Sequence, residues 1–155
     1  MMWAGISIDG RTGLVLEPGG GREGDSTSKK YIRDIFHEHV IPYSGFIGDN
    51  FMLMQDNARC HSSRETTLFL NEVHIPTMNW PAMSPDLNPI EPLWDELKRR
   101  VRARNPGPNN IDQLKADLIE EWEGIPQETI KKLIVSMKSR LISVIKGRGA
   151  ILNIK

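Results

Sequence analysis

The sequence predicts an α/β fold, a sheet covered by helices. Three observations carry that expectation. Asp9-Gly10 separates two short β-prone runs, the signature of a tight hairpin. Short apolar runs then alternate with helical stripes through the middle of the chain. The C-terminal half is filled by amphipathic stripes alone. The resulting order, β-β-α-β-α-β-α-α-α, suits a sheet with helices on its faces.

Taken in order, MWAGISI and TGLVLEP form the hairpin arms. The Gly-rich stretch GGGREGDSTS follows as a loop and ends in residues suited to capping a helix. In SKKYIRDIFHEHV, the residues Ile32, Ile35, Phe36 and Val40 recur at helical spacing. FMLMQ reads as a strand buried on both faces. Ser62 and Glu65 give a capping-box pattern for a helix running to about Val73. IPTMNW is a short strand, with Pro76 tolerable near its start. After the proline-rich PAMSPDLNP come three helical stripes. They are Ile90, Leu93, Trp94, Leu97 and Val101, then Ile111, Leu114, Leu118 and Trp122, then Ile130, Leu133, Met137, Leu141 and Ile145. Gly147 or Gly149 ends the last. Trp80 and Trp94 are expected in the core.

The 155 residues, 39% hydrophobic and 26% charged, are enough for one domain with a sizeable core. A single cysteine, Cys60, excludes an internal disulfide and offers no zinc-ligand spacing. No apolar run approaches the roughly 20 residues of a membrane helix, and no signal-peptide pattern opens the chain. No membrane partner is expected, and an intracellular location is. Net charge is zero, yet charge is sorted into blocks. Lys98, Arg99, Arg100, Arg102 and Arg104 form a basic run without an acid, and five acids against one lysine follow between Ile111 and Glu123. Such sorting marks either an electrostatic footprint or a set of solvated helix faces.

Two acids stand where chemistry is usually placed. Asp56 ends the FMLMQ run, and sites in α/β sheets form at the carboxyl ends of strands. The alternative is ordinary Asp-Asn turn chemistry. Glu91 opens a helix, with Asn88 as cap and Pro89 at the first helical position, so it could instead serve the cap and the helix dipole. Between the two acids lie 34 residues, one helix, one strand and a loop, a unit that returns the chain to the same sheet edge. Carboxylates converging on one cleft suit a two-metal phosphoryl-transfer site, in which ions roughly 4 Å apart stabilise the attacking and leaving oxygens.

QDNARCH, followed by WPAMSPDLNPIEPLWDELK, resembles the catalytic domain of Tc1/mariner-family DDE transposases. The later WEGIPQETIKKLIVSMKSRL resembles that family's C-terminal helices. The likeness runs from Trp3 to about Ala150. It implies an RNase H-like mixed sheet flanked by helices. It also implies DNA cleavage and strand transfer with two Mg²⁺ or Mn²⁺ ions, on transposon ends and target DNA, by a protein that pairs with another transposase subunit. In a eukaryote such a protein works in the nucleus. By the match, Asp56 is the second metal-binding catalytic acid and Glu91 the third.

The family's first acid lies on a first, central strand that precedes the hairpin, and that strand is not among these residues. Asp9 belongs to the hairpin turn instead. The family's helix-turn-helix modules are not present either. Residues 1–150 are therefore expected to be a partial catalytic domain begun at an internal methionine, with 151–155 a tail. Two consequences are expected: weak Mg²⁺ binding with no catalysis, and unpaired inner sheet edges that reduce stability. The alternative is a non-catalytic nucleic-acid-binding or transposase-associating module. A third reading, an RNase H-like nuclease of another lineage, is opposed by SPDLNPIE.

Further residues match family positions. Asn57 either hydrogen-bonds near the metals or shapes the turn. His61 contacts DNA or a carboxylate, or supports the Ser62 cap. Lys98 to Arg104 follow Glu91 on one helix and could carry phosphate backbone, in a salt-dependent and largely sequence-blind way. The resemblance departs at Cys60, where the family has proline, and at Pro92. Pro92 steers Glu91 away from helical φ/ψ, which would make Glu91 the cap and Pro92 the first helical residue.

Overall fold

The computed structural model describes residues 2–16, 27–81 and 84–147. The Gly-rich stretch through Ser26, Gly149 and residues 151–155 lie outside them. The described residues fall into two compact units. One comprises 27–81, and the other comprises 2–16 together with 84–147.

The first unit opens with α1 (Ser28–Tyr31), whose cap Thr27 accepts the Lys30 N–H through its hydroxyl at 3.3 Å. The helix then winds as a π-helix over Ile32–Val40 before returning to α-geometry in α2 (Ile41–Ile47). Wider winding places Tyr31, Ile35, Phe36 and Val40, spaced by four and five, on one buried stripe. Ile32, expected on that stripe, is only half-buried. Phe36 meets Tyr31 and Phe69 edge-on, with centroids 5.0 and 5.6 Å apart.

FMLMQ departs from the expected strand. Its pairing reduces to one parallel bridge, Leu53 to Thr77, with Leu53 N–H donating to the Pro76 carbonyl and Met78 N–H donating to Leu53, both at 2.8 Å. The next rung toward the N-terminus would need an N–H from residue 76, and proline has none. Phe51 N–H is turned instead to Gly48 O. Nor is the run buried on both faces, since Met52 is 54% exposed.

α3 (Arg64–Glu72) is capped one residue later than expected. Ser62 Oγ donates to the Ala58 carbonyl, so Ser63 takes the cap and accepts Thr66 N–H at 3.1 Å. At its other end, His74 N–H reaches Asn71 O and Ile75 N–H reaches Leu70 O, the paired bonds of a Schellman motif. Its left-handed position, usually glycine, is His74 at φ 56°.

The second unit joins the hairpin to four helices. β1 (Met2–Trp3) pairs antiparallel with β2 (Val15–Leu16), and an Ile6–Arg11 bridge sits nearer the Asp9-Gly10 turn. The second arm holds one more residue than the first between these pairs, which makes a bulge. The bulge leaves the Thr12 carbonyl to accept the buried Trp122 Nε1–H at 3.0 Å. Arg11 and Gln127 add further bonds between the hairpin and the α5–α6 junction.

The helices are α4 (Glu91–Ala103), α5 (Ile111–Glu123), α6 (Gln127–Val135) and α7 (Met137–Lys146). Leu93, Leu97 and Val101 of α4 are buried with Ala4, Trp122, Ile125 and Ile130, and Ile90 and Trp94 pack against them. Trp94 stacks on Trp122. The last expected helix is two, divided at Ser136, whose hydroxyl turns back to Leu133 O at 2.7 Å. Ile111, Leu141 and Ile145 keep the helical period but face outward. Gly147 closes α7 as expected.

The fold is thus helix-rich α/β, as expected in class. The mixed sheet is not continuous among the described residues. Its antiparallel pair and its parallel bridge lie in different units, and each strand has one partner.

Candidate functional site

Asp56 follows the Leu53 bridge, where the backbone leaves extended pairing. Its Oδ1 accepts the Ala58 N–H at 3.0 Å, an Asx-type turn that starts the loop toward α3. The same oxygen lies 2.6 Å from Nδ1 of His61. A carboxylate oxygen can only accept, so Nδ1 carries the proton. Among the described residues Oδ2 has no partner, and the side chain is 59% exposed.

His61 is itself held on two sides. Its ring lies over Tyr31, with centroids 4.4 Å apart at 34°. Its carbonyl accepts a bond from Gln55 Nε2 at 3.5 Å, and Gln55 Oε1 accepts the Tyr31 hydroxyl at 3.1 Å. Asn57 turns its amide Nδ2 to the Trp80 carbonyl at 3.1 Å, tying the Asp56 loop to the segment after Thr77. Trp80 is buried there, as expected. Asp56, Asn57, His61 and Trp80 line one open cavity of about 260 Å³.

Glu91 is in the second unit, exposed, as the first residue of α4. The expected cap arrangements are both replaced. The Ile90 carbonyl accepts Leu93 and Trp94 N–H at 3.0 Å, so Ile90 occupies the cap position and Pro92 sits second in the helix. A first-turn N–H has no intrahelical partner, so proline costs nothing there. Asn88 caps nothing in α4; its Oδ1 accepts Ile90 N–H at 3.2 Å.

Arg140, a residue with no role assigned from sequence, fastens the segment before Glu91. It is buried on α7 and donates to the Asp86 carbonyl at 3.0 Å and the Leu133 carbonyl at 3.1 Å. Burial pushes its guanidinium below the usual arginine value, and the Asp86 carboxylate partly opposes that.

The basic run and the acidic run, read separately in the sequence, pair with each other. Arg104 donates to Glu121 at 2.8 Å and Glu120 at 2.9 Å and lies 3.3 Å from the buried Asp117. These carboxylates, Glu121 first, raise the Arg104 pKa above the usual arginine value. Arg100 reaches Glu96 at 2.7 Å and Glu121 at 3.8 Å. Arg99 pairs with Glu96 on the same helix. The bonds from Arg99, then Arg100, hold the Glu96 carboxyl below the usual carboxylate range. Lys98 and Arg102, one turn apart, are exposed and carry no ion pair among the described residues.

Hard divalent cations take carboxylate and amide oxygens, and the open Oδ2 of Asp56 is a donor of that kind. Asp56 therefore fits a Mg²⁺ or Mn²⁺ ion as one ligand. Among the described residues, no group of three or more His, Cys, Asp or Glu is placed to hold a metal by itself. Nor is any described helix long and apolar enough to cross a membrane.

Residues 21–115 match the family described as DDE superfamily endonuclease. The chain is 40% identical over 104 residues to the Tc3 transposase of Caenorhabditis elegans, covering 67% of this chain and 32% of that protein. It is 39% identical over 120 residues to the Tc1 transposase of the same organism, covering 75% and 42%. The chain thus spans between about a third and about two fifths of these relatives' length. Its fold superposes on the catalytic domain of Mos1 mariner transposase with a TM-score of 0.74 at 16% identity, covering 91% of this chain and 71% of that one. A Mos1 paired-end complex with Mn gives 0.74 at 17% identity, covering 91% and 42%. At that identity the likeness speaks for the fold, which is RNase H-like.

Proposed function

Because the chain belongs to the DDE superfamily endonucleases, and among them to the Tc1/mariner transposases, we propose that it supplies two of the three metal-binding carboxylates of a DNA cleavage and strand-transfer site. Asp56 acts as the second acid and Glu91 as the third. The observation that carries the reading is Asp56 itself: an exposed carboxylate with one oxygen fixed by two donors and the other open. The family match spans both acids. A divalent ion, when bound, would neutralise charge building on the transferring phosphate.

Residues 1–150 form, on this reading, part of one catalytic domain, and 151–155 follow it. A third acid, on the family's central first strand, completes the donor set. The 155 residues by themselves bind Mg²⁺ or Mn²⁺ weakly and do not cleave DNA. The partners are transposon-end and target DNA and another transposase subunit, in keeping with the relatives solved as a paired-end complex with a transposon end. Lys98 and Arg102 carry the phosphate contacts on α4, since carboxylates hold Arg99, Arg100 and Arg104. The site of action is the nucleus of a eukaryotic host, or otherwise the cell interior.

The second reading, a non-catalytic nucleic-acid-binding or transposase-associating module, rests on the two-carboxylate donor set. One assay separates the two. Nicking of transposon-end duplex in Mg²⁺ or Mn²⁺ is measured for the 155-residue chain and for a version extended by an N-terminal strand bearing an Asp. The transposase reading expects nicking only by the extended protein, abolished by Asp56→Asn or Glu91→Gln. Nicking that survives either substitution removes that residue's role. DNA binding without nicking by the extended protein favours the module.

A further inference from the structure

An aspartate exposed on a loop ordinarily samples several rotamers, and an exposed ion pair does little to stop it. Asp56 differs because its partner is not free to follow. The His61 ring is 17% exposed and packs, tilted by 34°, against Tyr31, which is 2% exposed. Tyr31 is fixed in turn by Phe36. Tyr31 reaches His61 a second time through Gln55, by hydroxyl to amide oxygen and amide nitrogen to the His61 carbonyl. Tyr31, Gln55 and His61 therefore close a ring of contacts that anchors both the imidazole and the residue immediately before Asp56.

The effect falls on one oxygen. Oδ1 accepts from both Ala58 N–H and His61 Nδ1–H, which fills its two lone-pair sites. All remaining acceptor capacity sits on Oδ2. We infer that His61 is a positioning residue: it pins Oδ1 of Asp56 so that Oδ2 alone is presented to a divalent cation, and Tyr31 with Gln55 holds the imidazole in place to do so. The inference rests on Asp56 being a metal ligand and adds to it how that ligand is aimed.

The required group is an N–H at the Nδ1 position. Asparagine carries its amide nitrogen at nearly that place, one bond from Cγ. Glutamine carries it one bond farther out, where Nε2 would be. A role confined to packing against Tyr31 would not rank these two amides apart.

The test is a Mn²⁺ titration of the ¹⁵N-labelled 155-residue chain, read by paramagnetic broadening of the amide signals of Asp56, Ala58 and His61. Signal dispersion reports folding in the same spectra. His61→Ala and His61→Gln should each weaken Mn²⁺ binding about 10-fold, while His61→Asn should stay within about threefold of the native chain. Tyr31→Phe, which keeps the stacked ring and removes the hydroxyl, should fall between. Unchanged binding in His61→Ala overturns the inference, as does equal weakening by His61→Asn and His61→Gln. Should His61→Ala fail to fold, the Asn and Gln variants decide alone. Asp56→Asn serves as the reference. If Mn²⁺ broadens the same signals equally in that variant, the reading of Asp56 as a ligand fails, and this inference with it. If only the His61 variants are silent, the ligand reading stands.

Discussion

Arg104 at the end of α4 and Asp117 within α5 lie 3.3 Å apart, and Asp117 is the buried partner, with its other oxygen unpaired among the described residues. Removing the cation from a buried carboxylate costs more than the pair contributes, because the remaining charge is left without compensation. Arg104→Ala should therefore lower the melting temperature. Arg104→Ala with Asp117→Leu should recover much of the loss. Thermal denaturation of the three proteins checks this. A double variant no more stable than Arg104→Ala alone would sink it.

Acidification should weaken the same network. Arg99 and Arg100 hold Glu96 below its unfolded pKa near 4.5, so the unfolded chain takes up the proton first. The stabilisation is complete above that pH and is lost as pH falls below it toward the folded value. Urea midpoints measured from pH 7 down to pH 3 should drop in this window. The drop should be smaller in Glu96→Gln.

Replacing Trp122 by Phe removes the donor to the Thr12 carbonyl as well as ring volume. A buried acceptor left unsatisfied costs about 1–3 kcal/mol, and the cavity adds to it. A total of roughly 2–4 kcal/mol is expected from chemical denaturation. A cost under about 1 kcal/mol would mean that the bulge carbonyl finds another donor.

His74 holds a left-handed conformation at φ 56° in the Schellman turn. Such a position costs a non-glycine residue about 1–2 kcal/mol, and glycine returns part of that as unfolded-state entropy. His74→Gly should stabilise the chain by roughly 0.5–1 kcal/mol. A destabilised variant would show that the imidazole makes a contact of its own worth more than the strain.

For DNA binding, the charge arrangement on α4 makes a graded expectation. Lys98→Ala and Arg102→Ala should each reduce the slope of log K against log salt by about 0.9, the value for one phosphate contact. Arg100→Ala should leave the slope unchanged and instead lower stability. Equal slope changes for all three would place Arg100 on DNA despite Glu96.

What could be read from sequence follows from what periodicity encodes. The α4 stripe from Ile90 to Val101 was fully legible because every member meets a cover. Ile111 and Ile145 share the same period yet are 63% and 75% exposed. A repeat states which side chains share a face, not whether anything lies over it. The α3 cap was ambiguous for a local reason: Ser62 and Ser63 have the same chemistry, and the Ala58 carbonyl decides between them. The basic and acidic blocks were visible, but their mutual pairing depends on how two helices lie together. Among the candidate residues, Asp56, Asn57 and Glu91 stood out by motif, and contact of His61 with a carboxylate was one expectation for it. Tyr31 and Gln55 carried no sign of their part, since Tyr31 joins the loop from a separate helix.

Arg140 gives the second unit a timetable. The guanidinium that grips the Asp86 carbonyl lies 54 residues farther along the chain. During synthesis, the approach to Glu91 emerges well ahead of its anchor and settles only once α7 has arrived. A later stretch thus finishes a position written much earlier, and a break within α7 would be felt first at the start of α4.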